Sequence, residues 1–124
     1  MIKWIRNLLQ TGPNIDEEVQ ESSSDQAVIV HILAEDVQTD DPIGDLATLE
    51  DELQELLGGG GEVDGHDIGS EDANVYVYGP SAESIFRIIR SHLISGELTG
   101  RAKVTLRFGQ PGSPERIVQL PDGQ

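Results

Sequence analysis

The sequence predicts a single α+β domain in which strands and helices follow one another in the order β-α-β-β-α-β. Residues 27–33 form a continuous aliphatic and β-branched run, which is typical of a central, covered strand. Leucines recur at helical spacing between residues 46 and 57, and residues 102–108 alternate between apolar and polar side chains as a strand does. A chain of 124 residues fits one domain of ordinary size and is too short for two.

Capping residues mark both predicted helices. Asp41 followed by Pro42 is typical of a helix N-terminus, and Gly58 is a natural C-cap. The second helix is expected to begin after Ser81 and to end at Gly96. The residues expected in the buried stripes are Leu46, Leu49, Leu53, Leu56 and Leu57 in the first helix and Ala82, Ile85, Phe86, Ile89 and Leu93 in the second.

Two further strands complete the order. Residues 73–79 predict a strand, and residues 62–69 predict a shorter, bulged edge strand that reaches it through a hairpin loop. Along this edge strand Asp64 and His66 are expected on one side and Asp67 on the other. The split order is that of the ferredoxin-like fold, a β-α-β-β-α-β sandwich of an antiparallel sheet with both helices on one face. An extra C-terminal edge strand is expected at residues 116–120.

The ordered domain is expected to span residues 27–120, followed by a tail at 121–124. Residues 1–26 combine a short amphipathic segment with a linker. Residues 11–26 are polar, acidic and rich in serine, a composition that predicts disorder.

The opening residues predict a short amphipathic helix that docks on the domain or on a partner. Ile2, Ile5 and Leu9 share one face, with Trp4 and Leu8 beside it. This segment lacks the long apolar core and cleavage site of a signal peptide, and no apolar run approaches the roughly 18 residues of a membrane span. We therefore expect a cytoplasmic protein that does not bind membranes.

Negative charge dominates the composition. The formal net charge is −15, and no Lys or Arg occurs between Asn7 and Phe86. That stretch holds all of the 23 carboxylates except Glu97, Glu115 and Asp122. A large negative potential attracts basic proteins and repels nucleic acid, so the distribution favours a basic protein partner and disfavours nucleic acid. Solubility alone is the alternative explanation of the acidity.

A mixed aromatic and cationic patch is expected on the sheet face away from the helices. Tyrosines tolerate a wet surface better than valines, and strand alternation places basic side chains on the same face. The residues expected there are His31, Tyr76, Tyr78, Lys103 and Arg107. An ordinary exposed face, or a homodimer through it, is the simplest interpretation; binding of an anion or a single-stranded nucleic acid is the alternative.

The segment 64–67, with Glu71 and Asp72, holds residue types that bind Mn, Mg or Zn. No second histidine is close in sequence and the EF-hand spacing is missing, so we assign no metal ion and interpret the segment as a bulged strand and loop. The chain has no cysteine and no Gly-x-Ser-x-Gly motif. We predict no cofactor and no catalytic residue, with a small metal-assisted enzyme using Asp64 and His66 as the alternative.

Three short segments carry a resemblance to known sequences: VDGHD at residues 63–67, YVYGP at 76–80 and VTLRFG at 104–109. They resemble a family of short bacterial proteins that has no established activity. The resemblance implies a shared fold and no catalytic residue.

The predicted function is a non-enzymatic protein-binding module that engages a basic partner. In size and acidity the chain is similar to immunity proteins that neutralise toxic nucleases, so an immunity or inhibitor role is the concrete form of the prediction. Carboxylates at such an interface accelerate association and make it sensitive to salt. Those expected to face the partner are Glu50, Asp51, Glu52, Glu55, Asp64 and Asp67.

Overall fold

The computed structural model describes residues 26–37 and 39–122. The helix and linker expected within residues 1–25 lie outside the described residues. The strands are β1 (Gln26–Leu33), β2 (Glu62–Ile68), β3 (Asp72–Gly79), β4 (Lys103–Arg107) and β5 (Glu115–Gln119), and the helices are α1 (Pro42–Leu57) and α2 (Ala82–Ser95). A 3-10 turn at Ala34–Asp36 follows β1.

The strands form one sheet in the order β2-β3-β1-β4-β5, and every neighbouring pair is antiparallel. Strand β1 lies at the centre, as its continuous aliphatic sequence predicts. The expected C-terminal edge strand is confirmed as β5, which pairs with β4. The described residues therefore form an α+β fold with a five-stranded, open antiparallel sheet and two helices.

The pairing register separates the two faces of this sheet. Val28 lies opposite Val77 on one side and Leu106 on the other, and all three side chains are fully buried. Val30 lies in the same way between Val75 and Val104. These residues belong to one apolar core with the buried side chains of both helices, so the helices cover this face of the sheet.

Local signals define α1. The Asp41 carboxylate accepts a hydrogen bond from the Gly44 N–H at 3.2 Å, and the helix ends at Gly58, whose φ of 55° favours glycine. Four of the five expected leucines are buried, namely Leu46, Leu49, Leu53 and Leu57. The fifth expectation is wrong: Leu56 lies at the margin of the stripe and is 47% exposed.

Helix α2 begins at a hydroxyl cap and presents the expected stripe to the core. The Ser81 hydroxyl accepts a hydrogen bond from the Ser84 N–H at 3.1 Å. The buried residues of α2 are Ala82, Ile85, Phe86, Ile89 and Leu93. No helix in residues 26–37 and 39–122 has the length and apolar character needed to cross a membrane.

The loop between α1 and β2 packs tightly against the end of β3. A Cβ atom added at Gly79 would lie 2.9 Å from Ile85 Cδ1 and 3.0 Å from the Gly60 carbonyl oxygen. Only a residue without a side chain allows β3, α2 and this loop to come so close.

The turn after α2 and the last described residues are also held to the domain. Thr99 is fully buried, and its hydroxyl donates at 2.7 Å to the Leu93 carbonyl, a helix-end group that also accepts from the Gly96 N–H. The Leu120 N–H donates to the Ala102 carbonyl at 2.9 Å. Arg90 Nε donates to Asp122 Oδ2 at 2.9 Å, which joins the last described residue to α2.

Candidate functional site

Helix α1 carries five carboxylates: Asp45 in its first turn accepts a hydrogen bond from Thr39, and the other four divide into two pairs. Asp51 and Glu55 are exposed. Glu50 turns toward β2, where its Oε2 lies 2.6 Å from His66 Nδ1, and Glu52 turns toward α2, where its Oε1 lies 2.8 Å from His92 Nε2. Two of the four carboxylates therefore contact histidines of neighbouring elements.

Helix α1 is fastened over edge strand β2 by a second set of contacts. The Gln54 side-chain amide donates to the Gly61 carbonyl at 3.0 Å, and its oxygen accepts from the Val63 N–H at 2.9 Å. Together with the His66–Glu50 contact, these bonds place the acidic helix directly beside the outer strand of the sheet.

A β-bulge sorts the polar residues of β2. The register shifts between Val63 and Gly65, so that Asp64 is the extra residue and His66 lies opposite buried Val75 on the helix-covered side. The expectation that Asp64 and His66 share one side is therefore wrong, because the bulge inserts one residue into the alternation. The negative charge of Asp64 raises the pKa of Tyr78.

Asp67 lies on the sheet face opposite the helices, where it accepts two side-chain hydrogen bonds. Tyr76 Oη donates to Asp67 Oδ2 at 2.8 Å, and Asn74 Nδ2 donates to Oδ1 at 3.3 Å. Both hydrogen bonds hold the pKa of Asp67 below the usual 3.8, and the bond from the Tyr76 hydroxyl has the larger effect. The same bond raises the pKa of Tyr76 above 10.0, since the carboxylate favours the protonated phenol.

The five residues expected in the aromatic and cationic patch do share the face opposite the helices. In the paired rows, directly opposed side chains point to the same side of a sheet. Tyr78 and Arg107 flank Ala27, Tyr76 and Thr105 flank Ile29, and Asn74 and Lys103 flank His31.

This patch is not uniformly cationic. His31 Nε2 lies 2.9 Å from Asp72 Oδ2, and Arg107 Nε donates to the Gly109 carbonyl at 2.8 Å. Burial raises the pKa of Tyr78, and the charge of Asp64 raises it further while Arg107 opposes the change. Acidic and basic groups thus alternate across this face, which we call the open face.

Histidines and carboxylates meet in pairs in the described parts of the chain. His31 contacts Asp72, His66 contacts Glu50 and His92 contacts Glu52. Within residues 26–37 and 39–122, no three His, Cys, Asp or Glu side chains come together in a group that could hold a metal ion.

Comparisons with protein-family models, with curated proteins and with solved structures found no match to the chain.

Sequence reasoning did not find the histidine contacts. His66 and Glu50 are separated by 16 residues and His92 and Glu52 by 40, so no local spacing connects them. The one available signal was composition, since three histidines stand in a chain with 23 carboxylates.

Proposed function

We propose that this chain is a non-enzymatic protein-binding module that recognises a basic protein partner, in the manner of an inhibitor or immunity protein. The observation that carries the proposal is the position of carboxylates on both sides of one sheet edge. Glu50, Asp51, Glu52 and Glu55 lie on α1, where Glu50 contacts β2 and Glu52 turns toward α2, and Asp64 and Asp67 belong to β2 itself. We call these six carboxylates the acidic edge.

The acidic edge includes the outermost described strand on one side of the sheet, β2. Among the described residues β2 pairs with no strand except β3; on its other side Gln54 of α1 accepts from the Val63 N–H, and no other strand covers this side. Neither α1 nor β2 contains a Lys or Arg. A basic surface or a basic extended segment therefore meets carboxylates from two layers and no opposing cation within these two elements.

The charge of the whole chain supports the same partner class. A net charge of −15 produces a long-range field that accelerates encounter with a cationic protein and slows encounter with nucleic acid. On the open face, Lys103 and Arg107 share the surface with Asp67 and Asp72. For that reason we do not extend the proposal to nucleic acid.

We also propose that the domain has the ferredoxin-like arrangement and acts in the cytoplasm. The order β2-β3-β1-β4, with antiparallel pairing and both helices over one face, supports that arrangement; β5 then extends the sheet beyond β4. The absence of cysteine from the sequence is compatible with a reducing compartment.

The proposal is tested with two double variants of equal charge change. Asp51→Asn with Glu55→Gln removes two exposed carboxylates of the acidic edge, whereas Glu97→Gln with Glu115→Gln removes two that lie outside it. The tagged full chain is used to capture partners from host lysate at low and high salt, and the captured protein is then measured by association kinetics. We expect a basic protein whose association is severalfold slower with the acidic-edge variant and nearly unchanged with the other.

Two results contradict the proposal. Binding that does not weaken with salt would show that charge does not drive recognition. Equal slowing by both double variants would show that net charge acts without a local surface.

A further inference from the structure

An apolar groove lies where the first turn of α1 meets the far end of β2. It has a volume of about 400 Å³ and is lined by residues from several elements, among them Ile32, Val37, Ile43, Leu46, Ile68 and Leu98. Ile43 is 65% exposed and Ile68 49% exposed, so two large aliphatic side chains stand in water at this one place. An exposed apolar patch of this kind marks a contact surface.

Carboxylates surround this groove. Asp72 is part of its lining, and Asp41 caps the helix that forms one wall. Asp45 stands one turn further along α1 and accepts a hydrogen bond from the hydroxyl of Thr39, which also lines the groove. An occupant with an apolar face and basic side chains therefore matches both the floor and the rim.

We propose that residues 2–9 of this same chain dock in the groove. This segment lies outside the described residues, and its sequence has the required chemistry: Ile2, Ile5 and Leu9 repeat at helical spacing with Trp4 and Leu8 beside them. Lys3 and Arg6 are the only basic residues before Arg87. The two cations that precede Arg87 thus lie within this apolar segment, and the rim of the groove is acidic.

The connecting chain is long enough to bring this segment to the groove. Gln26 begins β1 at the end of the sheet next to α2, where its Oε1 accepts from the Ala82 N–H at 2.8 Å. The groove is at the other end of β1, beside Ile32 and Ala34. The eight residues of β1 span about 26 Å. Residues 10–25 can extend to about 50 Å, so they cover that distance with slack.

Covalent connection favours this occupant over a separate molecule. A short flexible tether gives its segment an effective concentration on the order of millimolar, which a free partner or a second copy of the chain does not reach under ordinary conditions. The docking does not depend on the acidic edge, because the groove is lined by other residues.

Trp4 provides the test because it is the only tryptophan in the chain. In the full-length protein we expect Trp4 emission that is blue-shifted, and less quenched by acrylamide, relative to a synthetic peptide of residues 1–12. Ile43→Glu places a charge in the groove wall and is expected to return both properties to those of the peptide. Leu56→Glu is the matched control, since Leu56 is 47% exposed on the same helix and does not line the groove.

Circular dichroism on both variants verifies that they are folded before the fluorescence is compared. High salt is expected to weaken the protection of Trp4 in the wild-type chain, because the rim is acidic and the segment basic. The proposal is overturned if wild-type Trp4 behaves as the free peptide does, or if Ile43→Glu and Leu56→Glu have the same effect. Protection that disappears on dilution overturns it as well, because the occupant is then a second copy.

Discussion

His66 Nδ1 of edge strand β2 lies 2.6 Å from Glu50 Oε2 of helix α1, and the two side chains are only 27% and 19% exposed. The contact joins the outer strand of the sheet to the helix layer above it. Since β2 has a neighbour on one side only among the described strands, this contact with α1 gives it support that β3 alone does not.

Removing this contact is expected to loosen β2. His66→Ala should lower the free energy of unfolding by about 0.5–1 kcal/mol, the range of a partly shielded ion pair or hydrogen bond. Urea denaturation measures the loss. Relative to wild type, the rate of amide hydrogen exchange should increase more in β2 than in β1. His92→Ala is the control because it removes a similar contact with Glu52. The side chains of His92 and Glu52 are 35% and 47% exposed, so the loss of stability should be smaller. Equal losses in both variants would contradict a special role for the β2 contact.

The hydrogen bond from Tyr76 to Asp67 predicts a shift that NMR can measure. Tyr76→Phe removes the largest of the influences that lower the pKa of Asp67, so that pKa should rise toward 3.8. The bond from Asn74 remains, so the rise should be incomplete. Carboxyl carbon chemical shifts followed during an acid titration report the value. Tyr78→Phe removes a hydroxyl from the same face and should leave Asp67 unchanged; a shift of similar size there would point to a general change in the sheet.

Acid should release the end of the chain from α2. The hydrogen bonds from Arg90 lower the pKa of Asp122 below 3.8. A carboxylate whose pKa is depressed in the folded state contributes stability above its unfolded pKa and loses that contribution as the pH falls through the folded value. Asp122→Asn should therefore destabilise the protein at neutral pH, and the difference from wild type should close in acid below 3.8.

Urea midpoints measured at neutral and acid pH test this expectation. Arg90→Gln removes the same contact from the other side and should show the same convergence. A constant difference at every pH would mean that Asp122 acts through packing and not through its charge.

The buried hydroxyl of Thr99 predicts a loss that is independent of pH. Thr99→Val keeps the shape of the side chain and removes the donor to the Leu93 carbonyl, so the free energy of unfolding should fall by about 0.5–1.5 kcal/mol. Thr48→Val, at an exposed position of α1, makes the same chemical change in water and should cost less. Thermal unfolding of both variants gives the comparison. If Thr99→Val leaves the free energy of unfolding unchanged, the Gly96 N–H, which also donates to the Leu93 carbonyl, is a sufficient partner for that carbonyl.

Elements set by local signals could be predicted from the sequence. The start and end of α1 follow from Asp41, Pro42 and Gly58, all of which act within one turn of the helix. The faces of β4 follow from its alternation, which places Val104 and Leu106 in the core. The burial predicted for Leu56 is wrong because this residue borders the apolar stripe. Only the position of neighbouring elements decides whether such a residue is covered.

Features that depend on two distant segments could not be predicted. The side on which Asp64 lies depends on the register between β2 and β3, and one inserted residue reverses it. Pairing His66 with Glu50 requires knowledge of which carboxylates of α1 lie over β2. The apolar groove likewise unites Val37, Ile43 and Ile68 from three separate parts of the chain, and none of them is unusual in its own segment.

The close approach at Gly79 restricts how this sequence can diverge over evolutionary time. A methyl group there would strike both Ile85 and the backbone of Gly60, whereas a methyl group at Gly59 would meet nothing within 4 Å. In descendants of this chain, position 79 is therefore expected to keep its glycine while position 59 accepts other residues. Of Gly59 and Gly79, Gly79 is therefore the better mark of common ancestry.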